Sequence, residues 1–284
     1  MDNNSLGELW LCEAYHQWGN CFKIKQILHS EQSLYQRIEV ILNEKLGKIL
    51  VLDGSVMFSE KDEFIYHEMI VHVPLCTHPE PKDILVVGGG DGGAVREILK
   101  HQEVANIKVV ELDSRVIEVC KKFFPNMGKV WESPKVKVEN IDGLEFIQKC
   151  SKNQFDIIIV DGIDPIGYGA HLFEEEFYYH ANRLLKEKGI FVQQTESPFY
   201  HFEWVCKIFG KIKKFFHFIA IYTIPMPTYP SGWWCFTIAS NSLSNITIPI
   251  EAKGKHISKM CKYYNLDVHK SSFKLPNFLL EKLK

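Results

Sequence analysis

Long apolar runs, a basic leader, closely paired cysteines and an excess of either charge are all missing from this 284-residue chain. No stretch approaches the ~20 consecutive apolar residues that a bilayer-crossing helix needs, so an integral membrane protein is not expected. The opening MDNNSLGELW has no basic segment followed by a hydrophobic one, so no secretory signal is expected either. Lys and Arg number 33 against 35 Asp and Glu, a formal charge of −2, which argues against a broad nucleic-acid footprint. The eight cysteines (Cys12, Cys21, Cys76, Cys120, Cys150, Cys206, Cys235 and Cys261) form no CxxC pair and read as reduced thiols of a cytoplasmic protein. No His, Cys or acid cluster has metal-ligand spacing, so no metal is expected. Internal repeats and low-complexity linkers are also lacking. What remains is the composition of a soluble globular protein, 46% hydrophobic and 24% charged, with room for about two domains.

Two patterns divide the chain. Up to residue 60, Phe22 to His29 and Tyr35 to Asn43 alternate apolar and polar side chains. Lys48 to Asp53 follows, then an Asp53-Gly54 turn and a short strand through Met57 and Phe58. That is an antiparallel β-domain without helix, residues 1–60. From 61 to 284 the reading is different. Ser59 stands before acids that suit a first helical turn, and Phe64, His67, Glu68 and Val71 continue a helix expected to stop before Pro74. From Asp83 onward DILVV, IKVVEL, VKVEN, FDIIIVD and GIFVQQTE alternate with helical segments in units of about thirty residues. This is an α/β pattern: a Rossmann-like, doubly wound and mostly parallel sheet of the methyltransferase-like kind. Residues beyond about 245 carry little signal, although LPNFLLEKLK suits a terminal helix.

The loop GGGDGG follows the first of these strands and opens a helix, and its Gly88, Gly90 and Gly93 fit G-x-G-x-x-G. In that context the glycines let the chain turn tightly and a ligand approach the backbone. Glu111 closes the next strand, where an acid accepts from ribose hydroxyls. Asp142-Gly143 ends the third, where an acid suits an adenine amino group, although such a pair alone is usually a turn. Asp91 inside the loop selects among adenosine compounds. Like charges ~4 Å apart cost about 1 kcal/mol in water and several times that near a protein surface, which disfavours a pyrophosphate there. A ligand with an ammonium and no carboxylate suits it best, and decarboxylated S-adenosylmethionine is such a ligand.

The fourth strand ends in Asp161-Gly162-Ile163-Asp164-Pro165, two carboxylates where such folds keep their active sites. A helix cap at Asp164 and a structural turn at Asp161 would account for the same letters. Glu196 follows the next strand; Tyr66 and His67 precede the loop; Tyr229 lies in MPTYPSG. Acids and tyrosines converging on one pocket suit a substrate with two ammonium groups, while a lone tyrosine is usually a packed aromatic.

Together these segments closely resemble the spermidine synthases, the polyamine aminopropyltransferases, over essentially the full length. The matching stretches are Leu50 to Gly54, Asp62 to Met69, GGGDGG, Glu111 to Asp113, Asp142-Gly143, Asp161 to Gly167 and Pro227 to Gly232. The resemblance implies that Gln36 and His67 contact the aminopropyl donor, that Asp91 holds its ammonium, and that Gly88 and Gly90 shape the donor loop. It assigns Glu111 to the ribose and Asp142 with Gly143 to the adenine. Asp161 becomes the base for the attacking amine, Tyr66 and Tyr229 orient that amine, and Asp164 and Glu196 receive its distal ammonium. It also implies a homodimer or homotetramer, no cofactor beyond the co-substrate decarboxylated S-adenosylmethionine, and a lid over roughly residues 163–173. Family members usually read Asp-Ser-Ser/Thr-Asp-Pro-x-Gly-Pro at the lid, and here Gly162, Ile163 and Tyr168 depart from that. Putrescine is the expected diamine, with cadaverine and agmatine left open. Two readings from other classes remain: a methyltransferase, although Val86 stands where such enzymes often carry an acid, and a non-catalytic polyamine or nucleoside sensor.

Overall fold

Alternating side chains split the amino-terminal strands between two faces. The computed structural model describes residues 8–15, 18–162 and 167–283. A hairpin, β1 (Trp10–Tyr15) and β2 (Trp18–Lys23), stands beside a four-stranded antiparallel meander. The meander is β3 (Gln26–Gln32), β4 (Arg37–Asn43), β5 (Gly47–Leu52) and β6 (Ser55–Ser59). Ile38, Val40, Leu50 and Leu52 face one way, onto Val116, Val119 and Phe124; Ile41, Ile49 and Val51 face the other, toward Leu11 and Phe22 of the hairpin. Phe22 to His29 is therefore two strands rather than one. Main-chain bonds from Ile24 to Leu9 and from Lys25 to Leu42 hand the chain from the hairpin to the meander between them. The cysteine expectation is corrected as well. Cys12 and Cys21 stand opposite each other in the hairpin register and form a disulfide, while the six others are free.

Helix α1 (Glu63–Thr77) leads into a seven-stranded sheet and runs through Pro74 instead of stopping before it. A proline inside a helix costs ~3 kcal/mol. Leu75 and Cys76, both wholly buried, offset that, since a large apolar side chain contributes about 1.5–3 kcal/mol on burial.

The sheet comprises β7 (Asp83–Gly88), β8 (Asn106–Val110), β9 (Val136–Glu139), β10 (Phe155–Asp161), β11 (Leu185–Gln194), β12 (Phe218–Pro225) and β13 (Trp233–Ser240). Their order is β12-β13-β11-β10-β7-β8-β9, with β9 through β11 parallel and β13 antiparallel to both its neighbours. The strand letters run unbroken in hydrophobics because both faces are covered. Ile84, Val86, Ile157 and Ile159 pack toward α1 and α2 (Gly93–Ile98). Leu85, Val87, Ile158 and Val160 pack toward α5 (Gly143–Lys149) and α6 (Glu175–Leu184).

Helices α3 (Ser114–Phe123) and α4 (Pro125–Gly128) join the sheet to the meander. After α6 come α7 (Phe202–Lys213), α8 (Glu251–Ser258), α9 (Leu266–Ser272) and α10 (Asn277–Lys282), the last on the expected terminal segment. Among the described residues no helix is long and apolar enough to cross a membrane. The neighbours β7 and β10 lie where the strand order reverses, and a ligand crevice belongs beyond their carboxyl ends.

Candidate active site

Glycines set the floor of that crevice. Gly88, Gly89 and Gly92 have φ of 82°, 71° and 87°, a region that side chains other than glycine's seldom enter. A Cβ on Gly88 would come within 2.2 Å of the Asp161 carbonyl oxygen, and the Gly89 N–H donates to that same oxygen at 2.9 Å. The loop and the end of β10 are thus joined through main chain. Glu111 Oε2 accepts from Gly90 N–H at 3.1 Å and its Oε1 from Asp113 N–H at 2.9 Å. Burial raises the Glu111 carboxyl to about 7 in spite of those two bonds.

Two acids flank the loop. Asp91 accepts from Gly93 N–H and faces His67 Nε2 at 3.5 Å. Asp161 accepts from the Tyr66 hydroxyl at 2.8 Å. Burial, then the charge of Asp91, pushes the Asp161 carboxyl up to about 6. Ligand atoms of His67, Asp91 and Asp161 lie within 4.8 Å of one another, a spacing that a single cation spans.

All of this opens into one cavity of about 460 Å³. Gln36, Tyr66, His67, Gly88, Gly90 and Asp91 line it, and so do Glu111, Asp142, Gly143, Asp161 and Tyr229. The Tyr229 hydroxyl donates to the Met57 carbonyl, and its ring lies 5.9 Å from that of Tyr66. Gln36 reaches across from the meander to donate to Asp113 at 3.1 Å. Asp142 caps α5 through Oδ1, which accepts from Leu144 and Glu145. Where the two letters alone suggested a turn, Asp142 caps a helix and also lines the cavity.

Asp164 lies outside the described residues. Glu196 is buried, is not among the residues lining the cavity, and pairs with His201 Nδ1 at 2.9 Å. Its backbone is left-handed, φ 75°, two residues beyond the end of β11.

His171, Tyr35, Gln193 and Gln194 were not singled out from the sequence. His171 Nε2 pairs with Asp142 Oδ2 at 2.8 Å. Tyr168 meets Tyr35 edge to face, 5.7 Å between centroids. Gln194 donates to the Gly162 carbonyl at 3.4 Å and Gln193 to that of Leu172 at 3.1 Å, so two adjacent amides hold the main chain at those two points. The paired glutamines of GIFVQQTE, polar in a strand buried on both faces, were the available signal.

The arrangement is a glycine-floored crevice of the doubly wound fold with two buried carboxylates, Asp91 and Asp161, side by side. Residues 63–249 match the spermine/spermidine synthase domain, and residues 9–60 match the spermidine synthase tetramerisation domain. The polyamine aminopropyltransferase of Shouchella clausii is 44% identical over 278 residues, 98% of this chain and all of the relative. That of Bacillus subtilis is 43% identical over 280 residues, again 98% and 100% of the two chains. The solved spermidine synthase of Thermotoga maritima is similar with a TM-score of 0.92 at 42% identity, covering 98% of this chain and 94% of that one. A spermidine synthase in complex with the transition-state analogue AdoDATO gives 0.93 at 42% identity, over 97% and 94%. The chain belongs to the spermine/spermidine synthase family. Its class is that of the polyamine aminopropyltransferases.

Proposed function

We propose that the protein moves the aminopropyl group of decarboxylated S-adenosylmethionine to a diamine, putrescine in the first instance, releasing spermidine and methylthioadenosine. The observation that carries this reading is Asp91 and Asp161 within reach of one another in a single cavity, one inside the glycine loop and one at its edge. Glu111 takes the ribose hydroxyls, Asp142 and Gly143 meet the adenine, and Gln36 and His67 border the aminopropyl arm. Asp91 takes the donor's ammonium.

The acceptor's primary amine enters beside Tyr66 and Tyr229. Its ordinary pKa is near that of lysine, ~10.4, so it arrives protonated and must lose that proton. Asp161 accepts it. The nitrogen lone pair then forms the new N–C bond as the C–S bond breaks, and that electron pair leaves on the sulfur of neutral methylthioadenosine. A sulfonium needs no acid to depart. General-base help is typically worth ~10²–10⁴-fold, and holding the reactants in line adds to it. The acceptor's far ammonium falls to Asp164. We read the protein as a cytoplasmic homo-oligomer, a dimer or tetramer, supported by the match of residues 9–60.

The test is methylthioadenosine release from decarboxylated S-adenosylmethionine with putrescine, cadaverine, agmatine and spermidine in turn. Fastest release with putrescine is expected. A methylated product from S-adenosylmethionine, or silence with every amine, would overturn the reading. In the same assay Asp91→Asn should weaken the decarboxylated donor far more than methylthioadenosine, which has no ammonium.

A further inference from the structure

His67 presents a problem of charge. It is a buried imidazole in the wall of a cavity that, on the reading above, receives an ammonium and a sulfonium. Its ring lies on Gly93, where a Cβ would come within 2.3 Å, so it is packed directly onto the loop that carries Asp91. On the far side its Nδ1 meets Glu63 Oε2 at 2.7 Å. Glu63 is gripped in turn by two nitrogens of Arg96, at 2.9 and 2.8 Å. Asp161 and the Tyr66 phenol also stand near the ring, and Phe58 offers it an uncharged edge. Arg96, Glu63, His67 and Asp91 therefore form a row of alternating charge. Burial opposes every charge in it. The bonds from His67 and Arg96 nevertheless hold the Glu63 carboxyl at about 2, and Asp91 with Glu63 raises the imidazole well above its ordinary value. Neither Glu63 nor Arg96 is among the residues lining the donor cavity.

We propose that Glu63, clamped by Arg96, is a positioning residue for donor binding: it fixes the His67 ring against Asp91 and offsets its charge, leaving the Asp91 carboxylate to take the donor's ammonium. The inference rests on the reading of the site given above. Without Glu63, Arg96 still has Glu97 at 2.8 Å, but His67 loses one of the two acids that face it, and for as long as the ring keeps its proton it draws on the Asp91 carboxylate that an incoming ammonium needs.

The experiment is calorimetric binding to the full-length Glu63→Gln variant, with no turnover involved. At about pH 6, decarboxylated S-adenosylmethionine should weaken by roughly tenfold, the scale of one charge-assisted contact, and methylthioadenosine by less than about twofold. The loss should shrink toward about pH 8.5 as His67 sheds its proton, whereas the wild type stays level. Arg96→Lys, which keeps the charge and loses the two-pronged grip, should fall between the two. Equal weakening of both ligands in folded Glu63→Gln would assign a merely structural role and overturn the proposal. The wild type supplies an independent check: its His67 resonance should not titrate between about pH 5 and 9, and titration near the ordinary ~6.5 would also overturn the proposal. Failure of the parent reading looks different, because the wild type itself would then bind the decarboxylated donor no better than methylthioadenosine.

Discussion

The Tyr66 hydroxyl donates to one carboxylate oxygen of Asp161 at 2.8 Å, and the other oxygen has no partner among the described residues. A buried carboxylate oxygen without a hydrogen bond is costly, typically ~1–3 kcal/mol, and such groups concentrate where chemistry needs them. Asp161 is thus oriented on one side and open on the other, as a base waiting for a proton should be.

Asp161→Asn keeps the shape and the Tyr66 contact but cannot accept the amine's proton. Turnover should fall by ~10²–10⁴-fold, and methylthioadenosine binding should stay within about threefold of wild type. Steady-state kinetics alongside calorimetry separates the two. Turnover near the wild-type level would remove Asp161 from its role.

The pH profile has a definite sign. As the proposed base Asp161 must be ionised, and burial with the charge of Asp91 pushes its carboxyl up to about 6, so kcat/KM should decline as pH falls through that value. The bond from Tyr66 favours the ionised form. Tyr66→Phe removes it, so the acid limb should move to higher pH. A limb that stays put or moves down would contradict this account.

His171 occupies the Asp142 oxygen that the adenine amino group is proposed to use, and both side chains are 31% exposed. A pair that open to water is worth ~0–1 kcal/mol, so the contact competes weakly. His171→Ala should tighten methylthioadenosine binding by up to about fivefold, measurable by calorimetry. Weaker binding would mean that His171 contacts the nucleoside directly.

Gly93→Ala drives a methyl into the His67 ring. Overpacking of this kind costs typically ~1–3 kcal/mol, or more where the ring has nowhere to move. The melting temperature should drop by several degrees, on the order of 2–4 °C per kcal/mol at this chain length. Donor affinity should fall with it.

The central strands were legible because a parallel strand covered on both faces is spelled as an unbroken apolar run, as FDIIIV is. The glycine loop was legible because its spacing reflects a backbone requirement. The misses share a different cause: each depended on contacts between residues distant in sequence. Cys12 and Cys21 are no recognisable motif until β1 and β2 pair. Pro74 reads as a stop until the last turn of α1 is packed against the sheet. Strands β12 and β13 went unread, although their paired register completes the sheet. The charged row behind His67 joins two helices, and neither sequence segment announces the other.

The main-chain bond between Gly89 and Asp161 makes the glycine loop and the proposed base's own backbone a single anvil. A side-chain change cannot slide one against the other, because the link holds no side chain. The opposite wall is of another kind, built from Tyr35 on the meander and Tyr168 on the lid. Substitutions there would reshape the cavity while the spacing between the glycine loop and the Asp161 main chain stays as that bond sets it. Over a lineage of such enzymes, preference for one amine or another is then free to drift without the chemistry drifting with it.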